Sequence, residues 1–373
     1  MRVPVPRGRR QPRPRARPWA RPWARPRNRL FVRAAGIGLG LAVDRVVGDP
    51  RRLHPVAGFG RLALALEARL LDESATGPAQ RTAGVVFTAV LVGGTTAAVL
   101  GVGRLIAGSG DWRSARTMPA RTAGTIAWNT AVVWSCLGGS SLLRVARRQE
   151  ELLASGDIDG SRELLPWLCG RDPAALDRDD LARAVVESVA ENTSDAAVCT
   201  LFWAAVAGPA GAAAHRAANT LDAMVGHRSP RYQHFGTASA RLDDALGYVP
   251  ARLAGLLGVA LASTVGDGAA GGSVAGGGAA GAMRALRRDA PGHPSPNAGV
   301  VESVCAGALG VRLGGLTPYP YGVEERAILG DGRPVEVDDI GRALHLQDRI
   351  QLATAGLLIT GLLLAHGITG ATT

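Results

Sequence analysis

The chain has 373 residues, 47% of them hydrophobic, with a mean hydropathy of +0.11 and a formal charge of +11. Residues 1–30 supply 11 arginines and no acid, which leaves 31 basic and 31 acidic residues in the rest of the chain. A neutral body argues against nucleic-acid binding, and the absence of lysine excludes a Walker-A lysine, a Schiff-base lysine and a pyridoxal-phosphate anchor. The four scattered cysteines lack a CxxC or histidine pairing, so they indicate small buried hydrophobes and not a zinc site or a disulfide framework.

The N-terminal segment 1–30 combines its arginines with seven prolines and the repeat RPWARPWARP. Proline lacks the amide donor that helices and sheets need, and repulsion between arginines keeps a segment extended. We expect a disordered tail, and translation from an upstream start codon is one origin of such an extension. An arm for anionic lipid or nucleic acid, helped by Trp19 and Trp23, is the alternative. A signal peptide is not expected, because the apolar stretch 34–43 is short and runs into Asp44.

Three uncharged stretches are long enough to cross a bilayer: 83–103, 122–143 and 352–373. A spanning helix needs roughly 20 apolar residues, and the Gly, Ala, Ser and Thr of these stretches let helices approach closely. The stretch 196–214 is a weaker candidate, and 253–266 and 298–311 fit re-entrant or buried helices. We therefore predict a mainly α-helical, polytopic membrane bundle with polar helical connectors, against the alternative of a soluble all-α protein. The N-terminal arginines predict a cytoplasmic N-terminus in the inner membrane.

Polar connectors separate the apolar stretches. Residues 144–186 indicate a mixed-charge helical insert, with Asp172 or Asp177 as helix caps. The Gly-rich segment 263–281 indicates a flexible linker, and a phosphate cradle is disfavoured because neither a strand before it nor a helix start after it is evident. The expected organisation is a tail, 1–30, and one membrane domain, 31–373, that contains the linker.

The segment ESVAENTSDAAV, 187–198, places acids at the start of an apolar run. In a helix, Glu187, Glu191 and Asp195 fall four residues apart on one slowly drifting stripe. A solvated helix face is one interpretation. Against it, like charges four residues apart repel, only Arg183 lies in the same row, and unpaired acids near a membrane are costly. A hard cation such as Mg²⁺, bridging carboxylates to a substrate phosphate, would relieve both problems.

Three further polar groups follow. In HRAANTLDAMVGHR, His215, Asn219 and Asp222 share one helical face. In ARLDDALGYVPARL the adjacent acids point to different faces, ion pairing with neighbouring arginines is the structural alternative, and Pro250 is expected to end or kink the helix. In PGHPSPNAGVVES, Ser295 is expected to cap a helix whose first residue is Pro296, which leaves free N–H groups that attract phosphate or carboxylate.

Four long blocks in order carry a family resemblance: 42–62, 187–209, 219–253 and 293–315. They are similar to the signature blocks of the adenosylcobinamide-phosphate synthase family of cobalamin biosynthesis (CobD/CbiB), and the resemblance covers roughly residues 34–370. Two departures are Thr200, where the family usually has proline, and Gly247, where it often has asparagine. Both lie beside the polar residues without removing them, so they bear on local backbone geometry.

The resemblance implies a multi-pass membrane ligase. It would join (R)-1-aminopropan-2-ol or its O-phosphate to a propionate of adenosylcobyric acid, with ATP consumed, Mg²⁺ as cofactor, and other late cobalamin-assembly enzymes as further partners. The expected catalytic residues are Glu187, Glu191, Asn192, Asp243 and Asp244. The expected metal ligands are Glu191 and Asp195. The expected substrate-binding residues are Asp44, Asp49, His54, Asn219, Asp222, Arg241, Arg252, His293, Ser295, Asn297 and Glu302.

A membrane sensor or regulator built on the same scaffold, without corrinoid chemistry, is the competing function. The SPNAG segment and the Glu-Asn-Asp row favour the enzyme, because a pure sensor need not keep clustered carboxylates. The sequence leaves open how ATP binds, which amine is used, how many times the chain crosses the membrane, and the oligomeric state.

Overall fold

The computed structural model describes residues 26–49, 54–108, 118–227, 229–264 and 277–371. Within these residues the chain is mainly helical, as predicted, with one two-stranded antiparallel sheet. The predicted disordered tail up to residue 25, and the middle of the predicted linker, 265–276, lie outside the described residues. The elements are α1 (Pro26–Val47), α2 (Pro55–Leu70), α3 (Gly77–Ala107), α4 (Met118–Cys136), α5 (Gly139–Ser155), α6 (Ile158–Leu164), α7 (Arg178–Thr193), α8 (Cys199–Ala207), α9 (Pro209–Leu221), α10 (Thr237–Leu261), α11 (Gly278–Arg288), α12 (Ala298–Leu309), β1 (Leu313–Tyr319), β2 (Gly322–Leu329) and α13 (Asp338–Ala371).

Three helical segments of the described chain are long and apolar enough to cross a membrane: Gly77–Ala107, Thr237–Thr264 and Asp338–Ile368. The first contains the predicted stretch 83–103, and the third contains residues 352–368 of the predicted stretch 352–373, which supports a polytopic helical membrane protein. The second corrects a prediction. Within the short stretch 253–266, the described residues 253–264 are the end of a longer helical segment that begins at Thr237, before Asp243 and Asp244.

The predicted span 122–143 is wrong, because α4 ends at Cys136 and a new helix, α5, begins at Gly139. The break is stabilised from a distant part of the sequence. The carboxylate of Asp44 accepts hydrogen bonds from the Ser140 backbone N–H (3.1 Å) and from its hydroxyl (2.6 Å). A carboxylate at a helix N-terminus satisfies an otherwise unpaired N–H and interacts favourably with the helix dipole.

The weaker candidate 196–214 is also not one span. Helix α8 ends at Ala207, and Gly208 (φ 73°, ψ −164°) redirects the chain before Pro209 opens α9. Glycine adopts this positive φ without the steric cost that a Cβ would bring, and proline at the first position of a helix loses no hydrogen bond.

Helix α10 runs through Pro250 without ending, contrary to one of the two sequence expectations. Proline removes the N–H that would bond the carbonyl four residues earlier, here that of Leu246. The indole N–H of Trp203, on α8, donates to the Leu246 oxygen at 3.0 Å. A tertiary hydrogen bond therefore replaces the missing helical one.

The largest core joins α5, α7, α10, α12 and α13, and every residue of α12 is buried. Small residues allow the close packing that the composition predicts. A Cβ added to Gly255 or Gly258 of α10 would lie 2.6 Å or 2.7 Å from a valine methyl of α12. The hairpin β1–β2 follows α12 directly and returns over it, so residues far apart in sequence meet around this buried helix.

Candidate functional site

The acids of the predicted stripe have different neighbours in the structure. Helix α7 is capped by Asp177, one of the two predicted caps, whose side chain accepts from the Asp180 N–H at 2.8 Å. After Thr193 the helix widens into a π-helical turn, Ser194–Val198. Such a turn contains one residue more than an α-helical turn, and Asp195 is its second residue. Glu187 and Asp195 have different neighbours, since Glu187 pairs with arginines and Asp195 accepts from Asn219.

Glu187 is buried, with 1% of its surface exposed, and is held by partners outside its own helix. It forms ion pairs with Arg171 and with Arg326 of β2 (3.2 Å), and it accepts the Gly314 N–H at 2.7 Å. Burial alone would raise the pKa of Glu187, but the two arginines outweigh it and the pKa is lowered. Glu187 is therefore an ionised, fully paired carboxylate.

Glu302, on α12, shares Arg326 with Glu187. The guanidinium donates to Glu302 Oε1 at 3.1 Å and to Nε2 of His293 at 3.1 Å. Because an arginine only donates, Nε2 accepts this bond, while Nδ1 lies 3.1 Å from both the backbone N–H and the carbonyl oxygen of Ser295. Burial lowers the pKa of His293 and raises that of Glu302, while Arg326 opposes the second shift. Arg326 thus joins two buried glutamates to a neutral histidine.

A second cluster contains acids with few counter-charges. The amide of Asn219 donates to Asp195 Oδ2 at 3.4 Å, and Asp222 and Asp243 lie close by. Burial, together with the charges of Asp243, Glu191 and Asp222, raises the pKa of Asp195 well above its usual range. Burial and the charges of Asp244 and Glu191 raise the pKa of Asp222 to about 6. Unlike the glutamates around Arg326, these carboxylates repel one another.

Glu191 lies between the two clusters. Its charge raises the pKa values of Asp195 and Asp222 on one side, and on the other it acts on Glu302 and His293. Its side chain is only partly buried. The described structure therefore places a partly accessible carboxylate between a cluster of paired arginines and glutamates and a cluster of acids. Asn192, its predicted catalytic neighbour, instead donates to the carbonyl and hydroxyl of Ser188 at 3.0 Å.

The fourth sequence block contacts the third through Asn297. Its amide nitrogen donates to the Asp244 carbonyl at 2.9 Å, and its oxygen accepts from Arg252 at 3.1 Å. Arg252 lies over the ring of Tyr248, 3.5 Å from the centroid, and forms no ion pair with the adjacent aspartates, so that structural alternative is not observed. A side chain at Gly247 would collide with Asn297, since an added Cβ lies 2.6 Å from its amide nitrogen. Glycine at this position therefore permits the contact.

The predicted free helix start at Ser295 is corrected. Helix α12 begins at Ala298, two residues later than Pro296. The Ser295 hydroxyl accepts from the N–H groups of Asn297 (3.3 Å) and Ala298 (3.2 Å), and the next two N–H groups bond the carbonyls of Ser295 and Asn297. The first turn consequently has no free donors for an anion.

The first sequence block lies apart from these clusters. Asp44 caps α5, and His54 caps α2 by accepting the Val56 N–H at 3.2 Å, with Asp49 3.9 Å from its other ring nitrogen. Among the described residues, no hydrogen bond or ion pair joins these three to the acids of α7. The exposed Arg241 likewise has no such contact. Their substrate-binding roles remain predictions.

Sequence reasoning missed Arg171 and Arg326. It considered Arg183 as the counter-charge of the stripe, but Arg183 pairs with Asp180 and donates to the carbonyls of Gly314 and Leu316. The segment 313–329, with apolar and β-branched residues around a Tyr-Gly turn, carries a hairpin signal. A hairpin predicted from this segment implies that the chain turns back and brings Arg326 over α12.

The chain is similar to known proteins over most of its length. A family model described as CobD/Cbib protein matches residues 37–347. Cobalamin biosynthesis protein CobD of Mycobacterium tuberculosis is 46% identical over 327 residues, which cover 88% of this chain and 95% of that protein. The protein of the same name from Chromobacterium violaceum is 39% identical over 330 residues, 88% of this chain and 97% of that protein. The one from Rhodobacter capsulatus is 37% identical over 339 residues, 88% and 96% of the two chains.

No solved structure gives a significant match. The family model nevertheless spans all four sequence blocks, from residue 37, just before the first block, to residue 347 of α13, and so includes both charged clusters and the hairpin. The chain therefore belongs to the CobD/Cbib protein family.

Proposed function

We propose that the protein acts in cobalamin biosynthesis as a membrane amide ligase. It joins (R)-1-aminopropan-2-ol or its O-phosphate to a propionate carboxylate of adenosylcobyric acid, at the expense of ATP. The observation that carries the proposal is the position of Glu191 between a cluster of paired arginines and a cluster of mutually repelling aspartates. Family membership and the name of the relatives support the substrate class.

The chemistry requires activation, because a carboxylate is a poor electrophile. The simplest route transfers the γ-phosphoryl group of ATP to the propionate, giving an acyl phosphate and ADP. The amine then attacks the carbonyl carbon, the C–O bond to phosphate breaks, and inorganic phosphate leaves. A base must take the proton that the amine loses. Asp222, whose pKa is raised to about 6, is the candidate base.

The acidic cluster fits the Mg²⁺ that the proposal includes. The Oδ1 atom of Asp243 is buried without a hydrogen-bond partner, and the neighbouring carboxylates disfavour one another's charge. No group of three or more His, Cys, Asp or Glu side chains among the described residues is arranged to hold a metal ion by itself. Magnesium commonly uses one or two carboxylates together with water and substrate phosphate. Glu191 and Asp195 would hold the ion, which would offset charge on the phosphate groups.

Complementation tests the function. A bacterial strain unable to convert cobyric acid to cobinamide receives the wild-type gene, Glu191→Gln, or Glu163→Gln, which changes an exposed glutamate of α6 in the same way. We expect rescue by the wild type and by Glu163→Gln and no rescue by Glu191→Gln. Full rescue by Glu191→Gln removes this residue from the chemistry, and failure of the wild type, when present in the membrane, contradicts the function.

A direct assay tests the metal. Purified protein in detergent receives adenosylcobyric acid, ATP and either amine, and the amide product is measured by mass spectrometry. We expect Mg²⁺-dependent turnover that falls sharply in Asp195→Ala and is kept in Asp179→Ala, an exposed aspartate of α7. Turnover that survives thorough chelation would contradict a role for the ion, and a sensor without corrinoid chemistry gives no product under any condition.

A further inference from the structure

A cavity of about 380 Å³ lies between helices α2, α3, α4 and α9. Its wall is mostly hydrocarbon, with Phe59, Val99, Val132 and Ala217 as representative members. Ligand cavities typically enclose about 300–1,000 Å³ and combine an apolar wall with a few polar groups. This cavity is therefore large enough for an apolar chain and too apolar for a freely soluble sugar or nucleotide.

The cavity is separate from the acids of the candidate site. Helix α9 contributes Ala213, Arg216, Ala217 and Thr220 to its wall. At about 100° per residue these four share one face of the helix, whereas Asn219 points about 110° away from the middle of that face and the following Asp222 lies roughly opposite to it. One helix therefore separates the cavity from the carboxylate cluster.

Two buried donors of the cavity wall lack partners. The Nε atom of Arg216 and the indole Nε1 of Trp128 are buried without a hydrogen-bond acceptor. Among the described residues no carboxylate forms an ion pair with Arg216. Leaving a buried donor unpaired, and above all one on a cation, is costly. An anionic group that approaches Arg216 would offset this cost.

The two ends of the cavity differ in polarity. Arg216 packs against Gly138, with Nη2 3.5 Å from where a Cβ would lie, and so occupies the end of α4 at which Asp44 caps α5. The opposite end of α4 meets the end of α3, where Gly108 contacts Arg121. Trp128 lies between the two ends, near Gly103 of α3. The cavity wall, to which the candidate membrane span α3 contributes, is therefore cationic at Arg216 and apolar toward Trp128.

We propose that this cavity binds one acyl chain of an anionic phospholipid, with the lipid phosphate against Arg216. The chain lies between α3 and α4 and reaches the indole of Trp128. An arginine beside an apolar groove matches the order of charge and hydrocarbon in a phospholipid. The inference is independent of the amide-forming reaction, since the cavity and the carboxylates lie on different faces of α9.

Fluorescence quenching by brominated lipid tests the proposal. The protein is reconstituted in phosphatidylcholine vesicles that contain either phosphatidylglycerol or phosphatidylcholine with brominated acyl chains. Subtracting the signal of Trp128→Phe isolates the quenching of this one indole from that of the other tryptophans. We expect brominated phosphatidylglycerol to quench Trp128 at about fivefold lower mole fraction than brominated phosphatidylcholine, the effect of one arginine near an anionic headgroup.

Matched variants decide the outcome. Arg216→Gln is expected to remove the preference for phosphatidylglycerol, whereas Arg61→Gln, an exposed arginine of α2, keeps it. Ala217→Phe or, if that variant does not fold, Val99→Phe fills the cavity and reduces Trp128 quenching by both lipids. Equal quenching by the two lipids, or a preference that survives Arg216→Gln, overturns the proposal. Relief of quenching by millimolar glycerol 3-phosphate overturns it in favour of a soluble phosphate ester.

Discussion

Replacement of Arg326 by methionine is expected to be the most destabilising single change near the site. Methionine keeps much of the length and apolar stem of arginine but removes the charge. Arg326 pairs with Glu187 at 3.2 Å and with Glu302 at 3.1 Å, and both carboxylates are 1% exposed. After the change Glu187 keeps Arg171 and the Gly314 N–H, whereas Glu302 keeps only a neutral histidine 4.0 Å away.

The magnitude follows from that difference. Removing one partner of a buried ion pair costs about 3–5 kcal/mol, because the remaining charge stays buried without compensation. Glu302 can reduce the loss by binding a proton, and each unit of pKa shift corresponds to about 1.4 kcal/mol. Since burial already raises its pKa, we expect a loss toward the lower end, about 3 kcal/mol. Glu302→Gln in the same protein removes the uncompensated charge, so the double variant should recover part of the loss.

The assay is reversible unfolding in mixed micelles, with all variants compared in the same detergent. Arg312→Met, at an exposed arginine just before β1, is the matched control and should change the unfolding free energy by less than about 0.5 kcal/mol. The double-mutant cycle isolates the coupling between Arg326 and Glu302. Wild-type stability of Arg326→Met, or a double variant less stable than Arg326→Met, would refute the assignment of Arg326 as the shared counter-charge.

The remaining predictions concern the acidic cluster, the helix break and the helix packing. The pKa of Asp222 is raised to about 6, so the ionised carboxylate destabilises the fold above that pH, and this penalty disappears in acid. Asp222→Asn should therefore stabilise the protein at pH 7.5, by at most about 3 kcal/mol. In thermal unfolding, millimolar Mg²⁺ should stabilise the wild type more than this variant. Asp44→Ala should cost about 1–3 kcal/mol because Ser140 loses its acceptor, with a smaller loss for Asp44→Asn; equal losses would argue against the cap. Gly255→Val should lower the unfolding temperature, since a Cβ lies 2.6 Å from a valine methyl, whereas Gly356→Ala, which meets nothing within 4 Å, should not.

Local patterns in the sequence predict the helices of this protein better than their boundaries. The apolar runs within α3 and α13 identify two candidate spans, because hydropathy over 20 residues does not depend on distant contacts. The run 122–143 misleads, since the break after Cys136 depends on Asp44, which lies almost a hundred residues earlier. Continuity of α10 through Pro250 depends equally on a remote group, the Trp203 indole.

In the candidate site, too, local sequence patterns predict some features, whereas contacts between distant residues decide the others. The spacing of acids in ESVAENTSDAAV reveals carboxylates near an apolar run, and the structure places Asp195 beside Asn219 of the next block. The spacing does not reveal that Glu187 is neutralised by Arg171 and Arg326, because the second arginine arrives on a hairpin 139 residues later. Nor does it reveal that Asp195 lies in a π-helical turn, which begins after the end of α7.

These two hidden features change the chemical meaning of the stripe. Three equivalent acids on one helix face would form a single anionic surface, and each would be an equal candidate for metal or base. Because Glu187 is paired with Arg171 and Arg326, its charge is already balanced. Its replacement should therefore act mainly through stability and the position of the hairpin. Asp195 keeps an unbalanced charge among other acids, which is the condition that favours a bound cation or a proton. Glu191, between them and only partly buried, is the accessible carboxylate whose charge acts on both clusters.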